Sequence, residues 1–289
     1  MLDYQKVRNL QLEDRRHSYT ARDTILYALG IGMGGDPTKP EELRFVYEKE
    51  LLVVPSMANV LGSPGFWMRD RKELGIDALK LVHGEQALTV HTALAPEGTV
   101  IGRTRVNRVV DKGEGKGAII YAEKTLYDPT TDQALVTVEQ AFFCRGDGGF
   151  SKLGGVSDAP ATALPPTPET APDIVFDLAT RTDAALLYRL SGDMNPLHAD
   201  PDVARNAGFP KPILHGLGTY GVVCRGLLAH LCGYGPSRLR SMRTRFSAPV
   251  FPGETIRVEC WRMPAGVAFR ARVAARNVTV LSHGQAELT

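Results

Sequence analysis

The stretch Tyr188-Arg-Leu-Ser191-Gly192-Asp193-Met194-Asn195-Pro196-Leu197-His198-Ala-Asp200-Pro201 decides the fold, because its opening repeats an earlier part of the chain. Tyr188-Arg-Leu-Ser echoes Tyr27-Ala-Leu-Gly, 161 positions before it. Pro249-Val-Phe-Pro252-Gly-Glu-Thr255 resembles Ala93-Leu-Ala-Pro96-Glu-Gly-Thr99 at an offset of 156, and Gln285-Ala286 parallels Gln140-Ala141 at 145. Three matches in order, at a shrinking offset, indicate a duplicated unit with shorter loops in its second copy.

Both copies read as α+β. In the first, residues 20–32 place Ile25, Leu26 and Leu29 at helical spacing and stop at glycines, and strand patterns follow at 86–95, 99–110, 117–128 and 134–145. In the second, helical stretches at 180–192 and 214–232 precede strand patterns at 239–248, 254–263, 268–277 and 278–288. Between them, glycines give way to Pro, Ala and Thr over about 146–172, a composition that supports neither helix nor central strand. This divides the chain into an N-terminal unit (1–150), a linker (151–171) and a C-terminal unit (172–289).

Composition narrows the function classes. The 289 residues are 43% hydrophobic and 23% charged, within the globular range, and 34 Lys/Arg against 32 Asp/Glu leave a net charge of +2. No overall field favours nucleic acid or an anionic membrane. No apolar run approaches the ~18 residues of a membrane span, the amino terminus is too charged for a secretory signal, and the last residues are not a peroxisomal address. Cys144, Cys224, Cys232 and Cys260 form no CxxC pair. A reduced, cytoplasmic protein is expected.

The chemistry concentrates after Gly192. A helix ends at Ser191-Gly192, and Pro196 and Pro201 forbid a regular helix between them, so Asp193, Asn195 and His198 share an irregular turn. A carboxylate beside an imidazole suits proton removal and delivery near neutral pH. Three other readings compete. A calcium loop needs Gly at its sixth and Glu at its twelfth position, where counting from Asp193 gives His198 and Ala204. A zinc site would draw on His198, Asp200 and His215, without the close ligand spacing such sites show. In a purely structural turn, Asp193 would cap backbone amides.

His215-Gly216 opens the apolar helical stretch, where free N–H groups and the helix dipole favour a developing oxyanion; Gly218 and Gly221 fit close packing better. In the first copy, Gly30-Ile-Gly-Met-Gly-Gly35 follows a helix instead of a strand, unlike a dinucleotide loop. Gly32 or Met33 stands where the second copy has Asp193, and no matching histidine follows. The first copy therefore reads as chemically retired.

Tyr188 through Pro201, with Lys211-Pro-Ile-Leu-His-Gly216, His83-Gly-Glu-Gln86, Asp111-Lys-Gly113 and Arg245-Phe246, resembles the (R)-specific 2-enoyl-CoA hydratases. This is the hydratase 2 or MaoC-like dehydratase family, and the likeness extends to the hydratase portion of peroxisomal multifunctional enzymes. The resemblance spans nearly the whole chain. It implies a double hot-dog fold, each half an antiparallel sheet around a long helix, acting as a homodimer without a metal or a cofactor beyond the CoA of its substrate.

It further implies reversible hydration of trans-2-enoyl-CoA to (3R)-3-hydroxyacyl-CoA. Asp193 and His198 are then the catalytic pair, Asn195 orders the water or the loop, and the Gly216 N–H meets the enolate oxygen. The acyl-CoA contacts carried over are His83, Gly84, Lys112, Phe246 and the turn Asp193–His198, with Met194, Pro196 and Leu197 included. Glu48 matches a functionally important acid, and Arg238, Arg240, Arg243 and Arg245 are candidates for the CoA phosphates, although strand alternation lets only some of them face one ligand. No dehydrogenase or sterol-carrier domain accompanies the unit, so a free-standing hydratase for medium or long acyl chains is expected. The alternatives are a hot-dog thioesterase and a non-catalytic acyl-CoA-binding subunit.

Overall fold

The computed structural model describes residues 2–152 and 155–289. Among these, ten strands form one antiparallel sheet: β1 (Arg15–Tyr19), β2 (Leu81–Val90), β3 (Gly98–Asp111), β4 (Ala118–Tyr127), β5 (Ala134–Cys144), β6 (Ile174–Ala179), β7 (Leu239–Phe246), β8 (Thr255–Met263), β9 (Gly266–Val273) and β10 (Val278–Leu288). The order across the sheet is β1-β3-β4-β5-β2-β7-β10-β9-β8-β6. Read outward from the centre, each half runs second, fifth, fourth, third, first strand. The two second strands meet at the seam, with Glu85 opposite Arg245 through Thr89 opposite Ser241. The duplication in the sequence is thus a duplication of topology, the double hot-dog.

The described helices are α1 (Tyr4–Arg8), α2 (Ala21–Gly30), α3 (Pro40–Leu43), α4 (Trp67–Asp70), α5 (Ala184–Tyr188), α6 (Pro201–Asn206) and α7 (Gly216–Leu231). None is long and apolar enough to cross a membrane. A capping box starts α2: Thr20 N–H donates to Asp23 at 2.8 Å, and Asp23 N–H returns to Thr20 Oγ1. The repeated tyrosines, Tyr27 on α2 and Tyr188 on α5, lie side by side with ring centroids 5.9 Å apart.

The sheet curls around α7, whose Tyr220, Val223, Leu227 and Leu228 are fully buried. Each such side chain contributes about 2 kcal/mol of burial before entropy is counted. Glycines bring the helix close. A Cβ on Gly221 would lie 2.5 Å from Ile31 Cγ2, and one on Gly226 would lie 2.6 Å from Leu178 and Phe176 on β6.

The two units differ where the sequence implied they would match. A long central helix occurs only in the second unit among the described residues. In its place the first unit has a 3-10 turn, Pro55–Asn59, with all five residues buried. Its end is held by Lys124 of β4, whose Nζ donates to the carbonyls of Ala58 (3.0 Å), Asn59 (3.0 Å) and Leu61 (2.6 Å). A cation here satisfies carbonyls that a continuing helix would have paired internally.

Boundaries also shifted. β2 begins at Leu81, five residues before the alternating pattern, because a bulge at Gly84 breaks the period between His83 and Glu85. The edge strands β1 and β6 had no sequence forecast, since each is short and pairs on one side only. Residues 155–171 carry no helix or strand and run over the sheet instead of hanging free. Asp158 accepts from Val109 N–H, Thr167 from His283 N–H, and Thr170 from the Trp261 indole.

Candidate active site

Gly192, at φ +124°, turns the chain out of α5 and its 3-10 extension into the loop that carries Asp193. Asp193 Oδ1 accepts from Asn195 N–H at 3.1 Å, and Asn195 Oδ1 accepts from Leu197 N–H at 3.1 Å. These two side-chain caps wind the turn Pro196–His198 and set His198 inward, where it is buried. Asp200 then caps α6 through the N–H groups of Asp202 and Val203. One short segment is therefore shaped almost wholly by its own polar side chains.

The turn meets the start of α7. Asp193, His198 and His215 place one ligand atom each within 4.8 Å of one another. The His198 and His215 rings stack with centroids 3.7 Å apart, and Tyr188 packs on the far side of His215 at 4.9 Å. His198 Nδ1 pairs with the Ile213 carbonyl at 2.9 Å, and His215 Nε2 with the Asp193 carbonyl at 3.1 Å. A carbonyl only accepts, so each of these nitrogens carries the proton. That leaves a lone pair on His198 Nε2 and on His215 Nδ1. Burial lowers the pKa of His198 and takes that of His215 down to about 4, so both rings are neutral at neutral pH.

The metal alternative changes membership in the structure. Asp200 is spent on its helix, and Asp193 takes its place beside the two histidines. The stacked imidazole planes are only 28° from parallel, so their remaining lone pairs lie in nearly parallel planes instead of in a common one. This geometry suits proton transfer better than shared coordination of one ion.

Gly216 is the first residue of α7 and is exposed, so its N–H has no partner within the helix. A Cβ there would lie 3.4 Å from the Phe246 ring. Phe246 in turn packs edge-on to His83 at 4.9 Å, and His83 stacks on Phe142 at 5.0 Å. His83 Nε2 bonds the Glu85 carbonyl at 3.1 Å, and desolvation among these rings takes its pKa to about 4, against the pull of Asp193. First-unit residues, His83 and the bulge at Gly84, thus border a site whose acid and bases come from the second.

The remaining candidates lie apart from this cluster. Met194 and Pro196 point to solvent, and Leu197 is half-buried. Lys112 is exposed on the β3–β4 hairpin, and Glu48 on an exposed turn. Arg245 is paired with Glu85, its Nη2 at 2.7 Å, across the seam. Arg238 Nε donates to Thr289 O, and the register carries Arg238 and Arg240 past Ser241, toward the opposite end of β7 from Phe246. His215 had no role assigned from sequence beyond a metal ligand, although its place before Gly216 was a visible signal.

The first-unit counterpart of the site is filled. Gly32 lies against the Arg225 guanidinium, which bonds its carbonyl, and Ile31 and Met33 are fully buried on either side.

Tandem hot-dog units with, among the described residues, a single acid–imidazole cluster at the start of a single long central helix define a double hot-dog protein with one candidate site. Two family descriptions cover most of the chain: "MFE-2 hydratase 2 N-terminal domain" over residues 17–146 and "MaoC like domain" over 163–283. The chain is 42% identical to 3-hydroxyacyl-thioester dehydratase Y of Mycobacterium tuberculosis, over 89% of this chain and 87% of that one. It is 35% identical to peroxisomal enoyl-CoA hydratase 2 of Arabidopsis thaliana, over 94% and 91%. A solved MaoC-like dehydratase from Phytophthora capsici superposes with a TM-score of 0.85 at 31% identity, over 99% and 98%. The chain belongs to the MaoC-like, hydratase 2 family.

Proposed function

We propose that the protein is an enoyl-CoA hydratase of the hydratase 2 type, interconverting trans-2-enoyl-CoA and (3R)-3-hydroxyacyl-CoA. One observation carries the reading. Asp193 and the neutral, buried His198 converge beside the exposed N-terminal glycine of a 16-residue helix.

The steps follow from that placement. Water held between the Asp193 carboxylate and His198 Nε2 loses a proton to one of them as its oxygen bonds to C3 of the enoyl thioester. The π electrons move toward the thioester, and negative charge gathers on its carbonyl oxygen. The Gly216 N–H, aided by the α7 dipole, stabilises that charge. A proton then passes to C2, completing addition of H and OH, and dehydration retraces the path. Asn195 fixes the turn through its side-chain oxygen and keeps its Nδ2 as a donor for the water. Phe246 and His83 wall the site on its first-unit side. The single turn at 55–59, in place of a central helix, supports the reading that acyl chains longer than four carbons are accepted. The four buried free thiols suit a reducing compartment such as the cytoplasm.

Loss of absorbance at the conjugated enoyl-thioester band, without release of free thiol, tests this. Asp193→Asn and His198→Ala should each lower kcat by roughly 10³-fold, the scale of general acid–base catalysis. Thiol release by the wild type would instead make it a thioesterase. Full activity in either variant would remove that residue from the mechanism.

A further inference from the structure

His215 is the member of the cluster to which the reaction steps give no task. It immediately precedes Gly216, and its backbone is firmly anchored. Its carbonyl accepts from Thr219 N–H at 2.9 Å and from Thr219 Oγ1 at 3.3 Å, within the first turn of α7. Beside it, Leu214 N–H donates to the Val250 carbonyl at 2.8 Å. The side chain is fully buried and reaches back to the turn that carries Asp193.

Two segments clasp each other there. His198 Nδ1–H donates to Ile213 and His215 Nε2–H to Asp193, so each histidine holds the backbone that leads to the other. Between these bonds the rings lie face to face at 3.7 Å. Tyr188 covers the opposite face of His215 and is itself fixed. A Cβ on Gly218 would lie 3.4 Å from its Cγ, and one on Gly30 3.3 Å from its Cα. Behind Tyr188 stands Tyr27, whose hydroxyl donates to Ser56 Oγ at 2.9 Å. Packing alone does not call for a histidine between these rings. Phenylalanine would stack as well without desolvating two nitrogens, and His215 Nδ1 is buried with no partner among the described residues. The titratable groups that face the ring are His198, Asp193, Arg189 and Tyr188; burial first, then His198, oppose its protonation. With Nδ1 sealed and Nε2 bonded, the ring acts through its neighbours and not on the substrate.

We propose that His215 is the positioning residue of the acid–base pair. Its Nε2–H fixes the Asp193 backbone, and its face sets the plane in which His198 Nε2 presents a lone pair. An imidazole supplies that donor and that face at once. The inference rests on the hydratase reading and assigns to His215, backed by Tyr188, the geometry on which that chemistry depends. Proximity sets the scale, since misplacing a reacting group by ~1 Å costs ~10²-fold in rate.

Steady-state kinetics with trans-2-enoyl-CoA test it in three variants. His215→Gln keeps a donor at similar reach and loses the face, His215→Phe keeps the face and loses the donor, and His215→Ala loses both. kcat should fall about tenfold in each of the first two and about 10²-fold in the third, with KM within roughly twofold of the wild type. The acid limb of kcat/KM should move to higher pH in His215→Ala and His215→Gln, where water reaches the His198 face, and stay in place in His215→Phe. In a His198→Ala background, His215→Phe should add little further loss, because the group it positions is gone. NMR titration of the His198 ring nitrogens reads the same dependence without turnover. Wild-type kcat in both His215→Gln and His215→Phe overturns the proposal. So does a His215→Phe loss that multiplies in full on that of His198→Ala, the mark of a merely structural role. A His198 titration that depends on His215, in a protein with no hydratase activity, would uphold the positioning role and refute the enzyme.

Discussion

In the proposed reaction, His198 is suited to act as a base because of where its proton sits. The Ile213 carbonyl fixes the proton on Nδ1 and leaves Nε2 unprotonated, while burial lowers the pKa below its ordinary value of 6.5. The acid limb of kcat/KM should therefore have its midpoint below 6.5, with full activity at pH 7; a limb centred above 6.5 would contradict this. His83 and His215 act on stability. Unfolded, each takes a proton near pH 6.5, and folded only near 4. The unfolded chain thus binds more protons in that window, so stability falls as pH drops from 6.5 towards 4, and these two groups add no further loss below 4. Melting temperatures across that range would show the slope, and His215→Asn should make it shallower. Asp193, Asn195 and His198 were legible because their loop is built by local caps and prolines. The stacking of His215 on His198 was not, since it depends on α7 meeting a turn 17 residues earlier in the chain.

Two elements show how packing overrides local preference. Gly221 lies mid-helix, where alanine would ordinarily be favoured by about 1 kcal/mol. Its missing Cβ makes room for Ile31 and the Tyr27 hydroxyl, so Gly221→Ala should still destabilise by about 1–3 kcal/mol in chemical denaturation. Stabilisation would show that α7 has room to shift. Lys124 is the other case. Burial pushes its pKa down to about 7, yet three carbonyls each require a proton from Nζ, which only the ammonium form supplies together. Lys124→Met should cost about 3 kcal/mol or more by stranding those carbonyls, and an unchanged denaturation midpoint would contradict that role. The 216–231 helix could be read from its apolar run and glycines. The Pro55–Asn59 turn could not, because its partner lies 63 to 66 residues away on β4.

At the scale of the molecule, duplication explains both the symmetry and its breaking. The sheet repeats one strand order around the β2–β7 seam, and the repeated tyrosines pack together beneath it. Three weak sequence echoes sufficed to show this, because a tandem copy retains its turn positions. The asymmetry was half visible. The missing acid at Gly32 could be read directly, whereas the Arg225 guanidinium that fills the space came from the other unit. One unit keeps the long helix, Asp193, His198 and His215, and the other borders them with His83 and Gly84. The most direct test of this arrangement is the configuration of the product formed from trans-2-enoyl-CoA in water, resolved by chiral chromatography after thioester hydrolysis. The (3R)-3-hydroxyacyl product alone is expected. The (3S) isomer, a racemate, or free CoA with the double bond intact would contradict it.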